Sequence, residues 1–150
     1  MNLGIDIGRC IKGPSKEQYS EPMPGAFETI SKLTKKFNNT YIVSRVNSEQ
    51  RERAIKWLEE KDFYNLTGIP KENVYYCFDR RDKAIYQRGL KINVFIDDRP
   101  NCLIPMENHV KKILFNPWEG DLKKYKDELN QLENLIIIKN WKEIGEYFKV

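Results

Sequence analysis

The chain has 150 residues, 40% hydrophobic and 32% charged, with 26 basic against 22 acidic side chains and a net charge of +4. That length favours one domain able to build its own core. No run approaches the roughly 20 apolar residues needed to span a membrane, and Asp6 interrupts the N-terminal apolar stretch too early for a signal peptide.

Three cysteines, Cys10, Cys77 and Cys102, share no CxxC spacing. They read as reduced thiols in a cytoplasmic protein rather than as a disulfide or zinc framework. The modest positive charge helps attract phosphate-bearing ligands but is weak evidence for a nucleic-acid face.

In chain order, residues 3–7 (LGIDI) read as a first strand, followed by GRCIKGPSKEQYSEPMPG, a loop by its Gly, Pro and Ser content. Residues 25–38 place Phe27, Ile30, Leu33, Thr34 and Phe37 on one helical face, closed by Asn38-Asn39. TYIVSRV (40–46) is a second strand, and a second helix starts at Ser48 and carries Ala54, Ile55, Trp57 and Leu58. VYYCF (74–78) is a third strand, residues 81–89 a short helix, and NVFID (93–97) a fourth strand. KKILF (111–115) and NLIII (134–138) add two more, with NWKEIGEYF as the terminal helix. DLKKYKDELNQLEN reads as one solvated surface helix.

Strand–helix alternation of this kind implies right-handed parallel crossovers and a sheet buried on both faces. The expected fold is therefore a three-layer α/β/α Rossmann-like parallel sheet in a single domain, residues 1–150.

Ligands of open parallel sheets bind at the carboxyl ends of the strands. The first strand delivers Asp6 there, the second Ser44 and the fourth the pair Asp97-Asp98, with Lys83 fourteen residues before Asp97. Each has a plain structural reading: Asp6 or Asp98 as a cap or turn former, Ser44 as a helix-entry serine, Lys83 as an exposed lysine. The combination is harder to explain that way. Two adjacent carboxylates at the end of an apolar strand repel each other unless a cation sits nearby. A magnesium ion would relieve them and neutralise a phosphoryl group. Lys83 and Ser44 would then hold phosphoryl oxygens, and Asp6 would be free to attack as a carboxylate nucleophile.

This order of residues resembles the haloacid dehalogenase superfamily, and RRDKAIYQRGLKINVFIDDRPN is similar to its 5'-nucleotidase (deoxyribonucleotidase) branch in particular. KKILFNPW and NWKEIGEYF resemble that branch's next strand and closing helix, so the likeness runs from residue 3 to 148. It implies Asp6 as nucleophile and metal ligand, Ser44 as the phosphate-binding hydroxyl with Arg45 beside it at the substrate, and Lys83 as the lysine that steadies nucleophile and phosphate. It also implies Asp98 as direct metal ligand, Asp97 as an outer-shell partner and Mg2+ as cofactor. The substrate class would be a phosphorylated small molecule or nucleotide.

Gly8 stands where the resemblance puts a second aspartate, the general acid and base. Its backbone carbonyl can still meet the metal, but glycine cannot carry a proton, and such help is worth about a hundred- to ten-thousand-fold. Three routes remain: a substrate with a good leaving group such as an acyl phosphate or pyrophosphate, a stand-in acid from the 9–24 loop (Glu17 or Glu21), or binding without turnover. Cys10 is a poor replacement nucleophile, since His109 is the chain's one histidine and lies far off in sequence. The 9–24 segment is a short flap, too short for the helical cap that many members insert. An open rim suits a large substrate, such as a nucleic-acid end or phosphoprotein, or a second copy of the chain covering it.

Overall fold

The computed structural model describes residues 1–13 and 20–150. Six strands, β1 (Asn2–Ile5), β2 (Asn39–Arg45), β3 (Val74–Cys77), β4 (Ile92–Asp97), β5 (Lys111–Phe115) and β6 (Leu135–Ile138), form one sheet in the order β3-β2-β1-β4-β5-β6. Every neighbouring pair is parallel. The helices between them are α1 (Ala26–Lys36), α2 (Ser48–Glu60), α3 (Phe63–Thr67), α4 (Asp82–Gly89), α5 (Pro100–Leu103), α6 (Glu119–Lys124), α7 (Lys126–Asn130) and α8 (Trp141–Phe148).

The chain runs outward from β1 to β3, then returns to β4 and runs outward the other way. With right-handed crossovers, that reversal puts the helices of the two halves on opposite faces. Accordingly α1, α2, α3 and α8 bury Ile30, Leu33, Trp57, Leu58, Phe63, Trp141 and Ile144 against Leu3, Ile5, Ile42, Ile96 and Phe115. The other face joins Ala84 of α4, Leu103 of α5 and Leu129 of α7 to Val43, Phe95 and Leu114. Alternate residues of each strand serve alternate faces, which is why the strands read as near-continuous apolar runs. Gly4 is required at the centre of the sheet, because a Cβ there would lie 2.6 Å from the Phe95 ring.

Two expectations change. The first strand stops at Ile5 rather than at residue 7, and the chain coils: the amides of Cys10, Ile11 and Lys12 all donate to the Ile7 carbonyl at 2.9–3.2 Å. Coiling lets Ile7, Cys10 and Ile11 all reach the core, which a straight strand could not do. The segment DLKKYKDELNQLEN is two short helices broken at Tyr125, not one solvated helix. The break turns Leu122, Tyr125, Leu129 and Leu132 onto the second core face. Among the described residues, no helix is long and apolar enough to cross a membrane.

Candidate active site

The strand order reverses between β1 and β4, the point at which an open α/β sheet opens a crevice at its carboxyl edge. Asp6 leaves β1 here with its amide still donating to Ile96 of β4, and Asp97 ends β4 with Asp98 behind it. Ser44, near the end of the adjacent β2, is buried on the same rim. A cleft of about 510 Å³ is lined by Asp6, Gly8, Ser44, Arg45, Lys83 and Asp98. Asp97 lies beneath it, fully buried.

Lys83 is buried, not the exposed lysine of its plain structural reading. Asp79 sets this up locally: its carboxylate accepts from the Arg81 amide at 2.9 Å and its carbonyl from the Asp82 amide, turning the chain into α4. The Lys83 Nζ then reaches under the strand ends, donating to Asp6 Oδ1 at 2.8 Å and to Asp97 Oδ2 at 2.6 Å. Burial alone would push this ammonium down, but the two carboxylates overcome it and hold Lys83 well above the ordinary lysine value. Asp97 spends its other oxygen on the Arg99 amide at 3.0 Å, so its partners are a lysine and a backbone N–H. It fixes the lysine that fixes Asp6.

Asp6 itself is pushed up to about 6, first by burial and then by Asp97, with Lys83 pulling the other way. Asp98 rises further, to about 8, by burial and by Asp6 and Asp97. Its cationic neighbours are Arg9, with Nε 3.3 Å from Asp98 Oδ2, and Arg99, with Nε at 3.7 Å. Both guanidiniums also lie over the Trp118 ring, 4.2 and 4.1 Å from its centroid. Arg9 reaches this place from a left-handed backbone, φ 60°.

A hard dication fits the donor set. The carboxylate oxygens of Asp6 and Asp98 lie within 4.8 Å of one another and of Cys10 Sγ. The Cys10 thiol is pushed well above its usual value by burial and by the same carboxylates, so the oxygens are the donors a magnesium ion would take. Among the described residues, no backbone hydrogen bond of the 6–12 turn ends on the Gly8 carbonyl; the bridge there uses Ile7, Arg9 and Lys12. Without a cation, the stability gained from protonated Asp6 and Asp98 is complete below the unfolded carboxylate value of 3.8. It is lost as pH rises through about 6 and about 8 respectively. Magnesium is therefore expected to raise the melting temperature several degrees more at about pH 8.5 than at about pH 5. Equal shifts at both pH values would mean that no cation relieves these carboxylates.

Of the two stand-in acids, the described one is not brought to the rim. Glu21 is exposed and pairs with Lys61 at 3.1 Å, away from the cleft lining. Glu17 lies outside the described residues. Cys10, held as a thiol, is no nucleophile, but its carbonyl accepts from Trp141 Nε1 at 2.7 Å, which ties the turn after Asp6 to α8.

Among the described residues, five cleft cations escaped the sequence reading: Arg9, Lys12, Arg53, Arg80 and Arg99. The available signal was positional, since Arg9, Arg80 and Arg99 each follow closely on a strand end.

No family model matches the chain. A Bacillus cereus protein whose name proposes a nucleotidase is 27% identical over 128 residues, which cover 85% of this chain and 61% of that protein. The chain thus spans about three-fifths of that relative's length. Among solved structures, a D,D-heptose 1,7-bisphosphate phosphatase from B. bronchiseptica, complexed with magnesium and phosphate, gives a TM-score of 0.65 at 13% identity. That match covers 99% of this chain and 98% of that one. The corresponding phosphatase from Burkholderia thailandensis gives 0.63 at 12% identity, covering 99% and 97%. The six-stranded parallel sheet and its two helical layers thus form the three-layer α/β/α fold that the chain shares with these two phosphatases.

Proposed function

We propose that the chain is a magnesium-dependent phosphoryl hydrolase with Asp6 as its nucleophile. The observation that carries this reading is the convergence of Asp6, Ser44, Lys83 and Asp98, all buried, on one cleft at the switch point of the sheet. The B. cereus relative and the two solved phosphatases bear names that specify phosphorylated small molecules, which supports that substrate class.

Asp6, Asp98 and the Gly8 carbonyl would hold the cation, with Asp97 in the shell behind. When bound, it supplies charge neutralisation at the phosphoryl oxygens. Lys83 pins Asp6 and favours its ionised form. The Ser44 hydroxyl donates to a phosphoryl oxygen, and Arg45 meets the substrate farther along the cleft. An Asp6 carboxylate oxygen bonds to phosphorus as the ester P–O bond breaks, and the leaving oxygen departs with the electron pair. With Gly8 beside the site, that oxygen takes its proton from water. A second water then adds to phosphorus, the Asp6–phosphorus bond breaks, and inorganic phosphate leaves with the carboxylate restored and one proton passed to solvent.

Phosphate release from acyl phosphates, aryl phosphates, alkyl phosphates and nucleotides, with magnesium and with chelator, tests this. Magnesium-dependent release, fastest for the best leaving groups, is expected. A second reading, binding of a phospho-ligand without turnover, is favoured by Gly8 and by Arg9 resting against Asp98. Binding with no release from any member, in wild type and in Gly8→Asp alike, would replace the first reading with the second.

A further inference from the structure

Charge is unevenly placed along the cleft. Among the described residues its two lining carboxylates, Asp6 and Asp98, stand over β1 and β4, whereas Arg45 leaves β2, Arg80 follows β3 and Arg53 projects from α2. Lys12, in the turn after β1, leans the same way: its Nζ lies 5.8 Å from the centroid of Trp57 on α2. The acidic half already has its cations, because Lys83, Arg9 and Arg99 are spent on Asp6, Asp97 and Asp98. The basic half has few acids to match its charge among the described residues. Among the described residues, Lys12, Arg45 and Arg80 have no carboxylate within ion-pair distance, and Arg53 has only an exposed Glu49 at 3.6 Å, a contact worth little in water.

This half is also held in place. Arg45 Nε donates to the Phe78 carbonyl at 3.0 Å, which aims the guanidinium across the loop after β3. An Asn47–Gln50 capping box, with bonds of 2.8 and 2.9 Å, fixes the start of α2 one turn before Arg53. Lys12 is half-buried, and burial together with Arg53 pulls its ammonium below the ordinary value. Gathering like charges costs free energy unless an anion joins them.

We infer that Lys12, Arg45, Arg53 and Arg80 form a second anion site, for another phosphate carried by the molecule whose first phosphate meets Asp6. This rests on the hydrolase reading only for the identity of that first phosphate. The substrate class is a small bisphosphorylated molecule, since about 510 Å³ is the size of a small-molecule pocket. A guanidinium–phosphate fork is among the strongest polar contacts available, so losing one is expected to cost about tenfold or more in affinity.

Calorimetry on the Asp6→Asn protein, where turnover is blocked, tests it with matched ligands. The pairs are fructose 1,6-bisphosphate against fructose 6-phosphate and adenosine 3',5'-bisphosphate against adenosine 5'-phosphate, with a 5'-phosphorylated thymidine dinucleotide alongside. The bisphosphates are expected to bind at least about tenfold tighter than their monophosphates. That ratio should collapse in Arg53→Ala and in Lys12→Met but survive in Lys142→Ala, which removes an exposed charge outside the cleft lining. Circular dichroism confirms that each variant is folded. Equal affinities within each pair, or a ratio that survives both Arg53→Ala and Lys12→Met, overturns the site. A preference confined to the dinucleotide overturns the small-molecule assignment. Ratio-dependent binding without hydrolysis of any phosphoester would sink the hydrolase reading and leave this one standing; hydrolysis without the ratio does the reverse.

Discussion

Gly8→Asp is expected to raise the turnover of alkyl phosphomonoesters by about a hundred- to ten-thousand-fold, the usual worth of a placed general acid. The site has room for it. A Cβ built on Gly8 meets nothing within 4 Å, and the backbone there is not in the left-handed region that would strain a side chain. The bridge at this turn is made by Ile7, Arg9 and Lys12, so no hydrogen bond is lost. Electrostatics favours the role as well. A new carboxyl beside Asp6 and Asp98 meets two like charges, which favour its protonated form. Initial rates with an alkyl phosphate and an aryl phosphate separate the cause. The gain should be large for the alkyl ester, which needs a proton on its leaving oxygen, and small for the aryl ester. Gly8→Asn, similar in shape but without a proton to give, should change neither. An equal gain from Gly8→Asn would assign the effect to packing of the turn, and no gain from Gly8→Asp would mean that the cleft does not hold an ester in line with Asp6.

Much of the fold was legible because its strands are buried on both faces and so appear as uninterrupted apolar runs: KKILF is β5 residue for residue, and NVFID is β4 without Ile92. The acids were legible for a topological reason, since a parallel sheet delivers whatever follows its strands to one rim. Elements without a period to read were not. Helices α3 and α5 have five and four residues, too few to show a hydrophobic stripe. Nor could spacing foretell the depth of Lys83, which depends on how the Asp79 turn aims α4 beneath β1 and β4. The stacking of Arg9 and Arg99 on Trp118 joins residues far apart in the chain and leaves no local pattern. The basic half of the cleft is a property of loop directions, and charge counts alone present those arginines as ordinary surface.

Asp6→Asn, placed in the Gly8→Asp background, is expected to abolish phosphate release to the assay background while leaving the fold as stable or more so. Lys83→Met is expected to lose both activity and about 3–5 kcal/mol of stability, the usual cost of breaking a buried ion pair from one side. The difference follows from what each change leaves behind. With the amide at position 6, its oxygen can still accept from Lys83, and Asp97 at 2.6 Å remains as the counter-charge. Removing the Asp6 carboxylate also relieves Asp98 and Asp97 of a like charge and spares the fold a buried group that it ionises reluctantly. With methionine at position 83, Asp6 and Asp97 are instead left buried, facing each other without their ammonium. Urea unfolding at about pH 8 measures both, where Asp6 and Asp98 press hardest for charge. The pattern separates two meanings of the same contact. If only Lys83→Met loses stability, the charge on Asp6 serves chemistry, because the fold is no weaker without it. If Asp6→Asn costs as much as Lys83→Met, Asp6 is the structural counter-ion of a buried lysine, and its role as nucleophile falls.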